Sequence, residues 1–154
     1  MRHRKYEYRY RDHSGGHTQR SRQALVNLPK IGVPVCVRGY CYRAFPRNNQ
    51  LGVLVRGSNG TARFGGFCWG YGGTGPNGLR DLFTHLRIPA QIADYVAFGI
   101  ESPDFSKARN YWEIILQSDG GYHVRLFDEH NEVIAHSRYT LQSETVFHQL
   151  QLAI

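Results

Sequence analysis

The residues best placed to hold a ligand lie in the segment from residue 67 to residue 78. Five glycines occur there within nine residues, and the aromatic residues Trp69 and Tyr71 stand at its start. Glycine destabilises a chain unless the backbone needs a positive φ or another group must approach it closely. Leu79 and the apolar residues after it have helical spacing, and free N–H groups at a helix start attract anions. The segment, which we call the glycine loop, therefore predicts a binding site for an anionic ligand.

The chemistry that the glycine loop offers is base stacking combined with phosphate binding. An aromatic ring would stack on a base, worth about 1–3 kcal/mol, while backbone N–H groups bind the phosphate. The loop residues that we predict to contact the ligand are Trp69, Tyr71, Gly72, Gly73, Thr74 and Gly75. At least one glycine of the loop should have a positive φ. The alternative is a structural loop, in which the aromatic rings pack in the core and the glycines allow two elements to approach.

Arginine dominates the basic residues, and it is concentrated in the first half of the chain. The net charge is +7, but residues 1–80 contain 14 Lys and Arg against two acids, whereas residues 81–154 contain five against ten. Arginine suits bidentate phosphate binding and stacking on bases. The predicted basic face consists of Arg38, Arg43, Arg47, Arg56 and Arg63, and all of these except Arg47 are assigned to the ligand site. The charge predicts an anionic nucleotide or nucleic acid as partner.

Other site chemistries find weak support in the sequence. Residues 70–75 match G-x-G-x-x-G, but a dinucleotide site needs an acid at a strand end about 20 residues later, and Asp94 falls in a predicted helix. No Lys-Ser/Thr follows the glycines, which excludes a Walker A motif. Cys36 and Cys41 lack a second ligand pair at zinc-site spacing. We therefore predict no metal, no cofactor and no catalytic residues, and we favour a non-enzymatic protein.

The pattern of apolar residues predicts a single α+β domain with a mainly antiparallel sheet and two or three short helices. Strands are predicted over residues 33–45, 51–56, 61–69, 111–117, 122–127 and 133–141. Helices are predicted over residues 79–86, 89–96 and 144–153, with Thr74 as N-cap of the first. Residues 1–22, in which tyrosines alternate with charged residues, predict either a basic arm or an edge strand. Residues 23–154 would then form the α+β domain.

At the glycine loop the chain resembles a known family. Phe67-x-Trp69-Gly70-Tyr71-Gly72-Gly73-Thr74-Gly75-Pro76, followed by an apolar helix, is similar to the F-x-W-G-Y-G-G-S/T-G-P segment of small uncharacterised proteins from bacteria, plasmids and phages. The resemblance covers about 20 residues, and the chain departs from it at Asn77-Gly78, where the family has Ala-Gln. The resemblance implies a mobile-element context and a shared glycine turn.

Three functional hypotheses follow. The first is a non-enzymatic binder of a phosphorylated nucleotide, encoded by a phage or other mobile element and sequestering a nucleotide signal of host immunity. The second is a binder of nucleic acid or nucleoprotein, such as an inhibitor of a host defence complex. The third is a nucleotide phosphodiesterase. No apolar run is long enough for a membrane span, so we expect a cytoplasmic location without membrane contact. The sequence leaves open a homo-oligomer and a host defence protein as partner.

Overall fold

Eight strands form one sheet, in the order β1-β4-β3-β2-β5-β6-β7-β8. The computed structural model describes residues 7–44, 48–101, 110–128, 130, 132–139 and 151–152, with the backbone alone for 42–44, 48–50 and 151–152. The strands are β1 (Tyr8–Arg11), β2 (Pro34–Ala44), β3 (Asn48–Gly57), β4 (Gly60–Phe64), β5 (Asn110–Leu116), β6 (Tyr122–Phe127), β7 (Val133–Tyr139) and β8 (Gln151–Leu152). The pair β1–β4 is parallel, and the other neighbouring pairs are antiparallel.

Short helices form a layer beside the sheet. Helix α1 (Thr18–Ala24) continues into a 3₁₀ segment, Leu25–Ile31. Helix α2 (Thr74–His85) follows the glycine loop, and α3 (Ala90–Asp94) continues into a π-helical turn, Tyr95–Gly99. The predicted α+β class with a mainly antiparallel sheet is confirmed.

Several predicted boundaries change. Helix α2 begins at Thr74, five residues before the predicted start, and its N-cap is Gly73. The N-terminal segment contains an edge strand, β1, and α1 runs across the expected boundary between residues 22 and 23. Gln151–Leu152 pair with β7 as a strand, so the helix predicted over 144–153 is wrong at these residues. The remainder of that helix, residues 144–150 and 153, lies outside the described residues.

The side chains of each strand point alternately to the two faces of the sheet. Val37, Val53 and Val55 are fully buried, as are Leu79, Leu82 and Phe83 of α2, and all belong to one hydrophobic cluster. Successive strand residues point to opposite faces. One face of the sheet therefore packs on the helices. We call the other face, which no described helix covers, the open face.

Trp112 of β5 occupies the centre of the helix-packed face. Its ring centroid lies 5.4 Å from that of Trp69 and 5.7 Å from that of Phe83, with edge-to-face geometry in both pairs. The indole lies directly over Gly39 of β2, where a Cβ atom would collide with it. Gly39 is thus required by the close approach of Trp112.

Glu113, the next residue of β5, points to the open face and binds two arginines. Arg38 donates from Nε to Oε2 at 2.8 Å, and Arg125 donates from Nε to Oε1 at 3.2 Å, each with a second bond from its Nη2. Burial raises the pKa of Glu113, but these hydrogen bonds from Arg125 and Arg38 outweigh it and hold the pKa below its usual value. The arginine side chains are 36% and 32% exposed, so water still screens their charge.

Replacing Glu113 should destabilise the protein. In Glu113→Gln, two arginines lose their shared counter-charge, and we expect a loss of about 2–3 kcal/mol, below the 3–5 kcal/mol of a fully buried pair. Because the folded pKa is lowered, the wild type should also lose this contribution as the pH falls from above 4.5 through the folded pKa. Urea unfolding at pH 7 and pH 3 measures both effects. The exposed Glu132→Gln is the control, and equal unfolding free energies for the two variants would contradict the prediction.

Candidate nucleic-acid interface

Trp69 is part of the core. Its side chain has no exposed surface, and its ring contacts Trp112 and Tyr111. The prediction that Trp69 stacks on a ligand is therefore corrected, since no face of its ring reaches solvent. The physical reason is that its ring completes the aromatic cluster on the helix-packed face of the sheet.

Tyr71 points away from that core. Half of its surface is exposed, and its hydroxyl lies 3.0 Å from Sγ of Cys68. The hydrogen bond with Cys68 and then burial raise the pKa of Tyr71 to about 12. Tyr71 thus stays protonated at neutral pH and presents an aromatic ring beside the start of α2.

Gly70 and Gly75 of the loop are needed for different local reasons. Gly70 has a φ of +93°, which confirms that at least one glycine of the loop needs a left-handed backbone, and its N–H donates to the carbonyl of Ala97 at 2.9 Å. Gly75 is buried at the start of α2, where a Cβ would collide with Sγ of Cys68. These two glycines position α2 against the core. Phosphate binding by the backbone of Gly72–Gly75 stays a prediction.

The predicted arginines lie apart from the glycine loop. Arg38, Arg56 and Arg63 all point to the open face, because each pairs across the strands with another open-face residue. The side chain of Arg43 and the whole of Arg47 lie outside what the structure describes. The glycine loop belongs to the helical layer, as the burial of Trp69 and Gly75 shows. The structure brings the arginines together with each other, but not with the loop.

Two rows of residues cross the open face from β1 to β7. Each row is a chain of register partners, so neighbours in a row lie side by side. The first row is Arg11, Arg63, Leu54, Arg38, Glu113, Arg125 and His136. The second row is Arg9, Thr61, Arg56, Cys36, Ile115, His123 and Arg138. Within these rows Glu113 is the one acid, and two arginines already bind it.

Aromatic rings lie beside arginines at two points of the open face. The guanidinium carbon of Arg63 lies 6.0 Å from the ring centroid of Tyr40, and that of Arg125 lies 5.5 Å from the ring of Phe127. Gly52 lies opposite Tyr40 on β3, and a Cβ there would collide with the tyrosine ring. The absence of a side chain at Gly52 therefore lets Tyr40 lie across β3 towards Arg63.

Arg9 and Arg11 also lie on the open face, and the sequence analysis did not assign them to a site. Both are exposed on β1, and Arg11 lies directly opposite Arg63 in the parallel pair. Like charges directly opposite each other destabilise a sheet. The alternation of tyrosines with charged residues predicts that both arginines lie on the same face of a strand. It does not indicate that β1 pairs with β4.

His123 and His136 are in contact on the open face, with ring centroids 5.7 Å apart. Burial lowers the pKa of His123, and the charges of Arg138, Arg125 and His136 lower it further, against a smaller opposite effect of Glu113. At pH 7 His123 is therefore neutral, and acidification adds charge to this part of the face.

Comparison with known proteins gives no match: no family model, no curated protein and no solved structure resembles the chain at a significant level. Among the described residues, no three His, Cys, Asp or Glu side chains form a group suited to a metal ion. No helix within the described ranges has the length and hydrophobicity needed to cross a membrane.

Truncating Trp69 should affect folding, and truncating Tyr71 should not. We expect Trp69→Ala to lower the free energy of unfolding by about 3–5 kcal/mol, because it empties a buried aromatic site. Tyr71→Ala should cost less than about 1 kcal/mol, since half of the ring is already in water. Denaturant unfolding measures both, with Trp69→Phe as the control that keeps an aromatic ring. A Trp69→Ala variant as stable as Tyr71→Ala would contradict this assignment.

The lowered pKa of His123 predicts a pH dependence of stability. The unfolded chain takes up this proton near pH 6.5, whereas the folded protein takes it up only at lower pH. Because the unfolded state binds more protons in that interval, the wild type should lose stability as the pH falls from 7.5 to 5. His123→Gln should lose less, as measured by the melting temperature at both values. His130→Gln, at an exposed turn position, is the control and should behave like the wild type.

Proposed function

We propose that the protein binds single-stranded nucleic acid across the open face of its sheet. The observation that supports this most directly is the placement of arginine on six strands of that one face. These residues are Arg9 and Arg11 (β1), Arg63 (β4), Arg56 (β3), Arg38 (β2), Arg125 (β6) and Arg138 (β7). A phosphate backbone is the ligand that supplies many negative charges along one line.

The length of the rows favours a polymer. Seven strands are separated by six spacings of about 4.8 Å, so each row extends for about 29 Å. An extended strand of several nucleotides can contact arginines along this distance, whereas a single nucleotide is far too short. Single-stranded binding proteins commonly follow a basic surface in this way over about 4–16 nucleotides.

The aromatic residues favour nucleic acid over an acidic protein. Tyr40 and Phe127 each lie beside an arginine on the open face. Planar guanidinium groups and aromatic rings both stack on unpaired bases. Duplex bases are already stacked on each other, so these groups are useful mainly to a single strand.

The separation of the glycine loop from the arginines favours nucleic-acid binding among the sequence-based hypotheses. The predicted site for one small nucleotide would require the glycine loop and the arginines to surround the same ligand. They lie on opposite sides of the sheet. Nucleic-acid or nucleoprotein binding requires the arginines alone. Together with the resemblance of the loop to phage and plasmid proteins, the placement of the arginines supports a mobile-element protein that blocks a nucleic-acid-dependent host defence complex.

We expect binding of a fluorescent eight-nucleotide single strand to depend strongly on salt. If about four phosphates are neutralised, the slope of log K against log salt should be near −3, from about −0.7 per phosphate. Arg63→Gln and Arg56→Gln should each weaken binding about tenfold or more, as loss of a charged hydrogen bond worth at least about 1.5 kcal/mol would. Fluorescence anisotropy at four salt concentrations measures this. Arg20→Gln, an exposed charge on α1, should bind like the wild type.

Two results of this experiment would count against nucleic-acid binding. A salt slope near zero would show that the arginines do not bind the phosphates. Equal weakening by Arg20→Gln and Arg63→Gln would indicate a general charge effect without a defined face. Parallel titrations with ATP and a cyclic dinucleotide test the small-ligand hypothesis, and tighter binding of either one than of the oligonucleotide would favour it.

A further inference from the structure

A small, partly open cavity lies at the end of the β1–β4 pair, at one end of the first row of the open face. Its volume is about 100 Å³. Arg11 and Arg63 line it from the sheet, Tyr40 lines it from β2, and the turn after β1 closes it with Ser14. An adjoining open groove of about 460 Å³ contains Arg9 as well as the same two arginines. The cavity therefore opens onto the proposed path of the nucleic acid.

Asp12 holds the walls of this cavity together. One carboxylate oxygen accepts from the N–H of Ser14 at 3.1 Å, and the other accepts from the N–H of Gly65 at 3.1 Å and from the Ser21 hydroxyl. Asp12 also lines the cavity, but these bonds direct both its oxygens at the surrounding backbone and at α1. The turn after β1 and the chain after β4 are thus joined around one fixed space.

Among the described residues, two features of the cavity favour an anionic ligand. The hydroxyl of Ser14 makes no hydrogen bond to any described residue, although Ser14 is only 1% exposed. Buried polar side-chain atoms normally have a partner. Arg11 and Arg63 lie directly opposite each other, so their charges repel. A bound anion would remove the repulsion and accept a bond from the serine hydroxyl at the same time.

We infer that this cavity binds the terminal phosphate of a single-stranded nucleic acid, an inference that rests on the proposed function. A terminal phosphate carries close to two charges and three free acceptor oxygens at pH 7, which match two guanidinium groups and one hydroxyl. An internal phosphate carries one charge and is attached to sugar on both sides, so it matches the two guanidinium groups less well. The protein therefore distinguishes phosphorylated ends from hydroxyl ends.

The test compares three forms of one eight-nucleotide strand, with a 5′-phosphate, a 3′-phosphate or hydroxyl groups at both ends. One phosphorylated form should bind the wild type at least tenfold more tightly than the hydroxyl form. Ser14→Ala should reduce that preference several-fold and leave the affinity for the hydroxyl form unchanged, since it removes only the hydroxyl. Arg56→Gln, outside the cavity, should weaken all three forms equally and keep the preference.

The outcomes separate this inference from the proposed function. Equal binding of all three forms, or a full preference retained in Ser14→Ala, would overturn the phosphate cavity while nucleic-acid binding stands. If no oligonucleotide binds, the proposed function fails. A titration with inorganic phosphate then tests the cavity by itself. Amide resonances of Gly15 and Gly65 should then shift with phosphate in the wild type and shift less in Ser14→Ala. Unchanged resonances in the wild type would overturn the cavity site as well.

Discussion

The register of β5 against β2 is the constraint on which both faces of the sheet depend. Trp112 and Glu113 are adjacent, and each is fully or almost fully buried on its own side. Trp112 lies over Gly39 and joins the aromatic core, while Glu113 lies opposite Arg38 and binds it. A slip by one residue would place a carboxylate among aromatic rings and an indole among arginines. This single pair of neighbours therefore fixes which side of the sheet is core and which side presents charge.

The open face is assembled at some cost to stability. Arg11 opposes Arg63, and Arg125 lies opposite His136 and two residues from His123 on the same strand. Only Glu113 compensates these charges within the two rows, and its two arginines extend to either side of it. A surface selected only for folding would alternate charge signs across strands, because like charges opposite each other are unfavourable. The proposed anionic partner would account for this concentration of positive charge.

Local patterns predicted much of the fold, and non-local pairing decided the rest. The strand Tyr122–Phe127 and the positive φ in the glycine loop follow from alternation and from glycine content. Helix α1 has few apolar residues, with only Ser21 and Ala24 buried, so it gave no helical period to detect. The burial of Trp69 depends on Trp112, which lies 43 residues later in the chain. The same limit hid the pairing of Arg11 with Arg63, because a parallel pair of distant strands leaves no local signal.

Strand order converts the charge asymmetry of the sequence into a gradient across the sheet. The strands from the basic half of the chain, β1, β4, β3 and β2, lie together, and the strands from the acidic half follow from β5 onward. Several acids of the second half, including Asp119, Asp128 and Glu132, lie at turns or strand ends, so they leave the rows themselves basic. A bound strand would therefore meet its strongest attraction towards β1, where the cavity between Arg11 and Arg63 lies. The gradient would give the proposed interface a direction, and a polymer with chemically different ends can use that direction, whereas a symmetric small anion cannot.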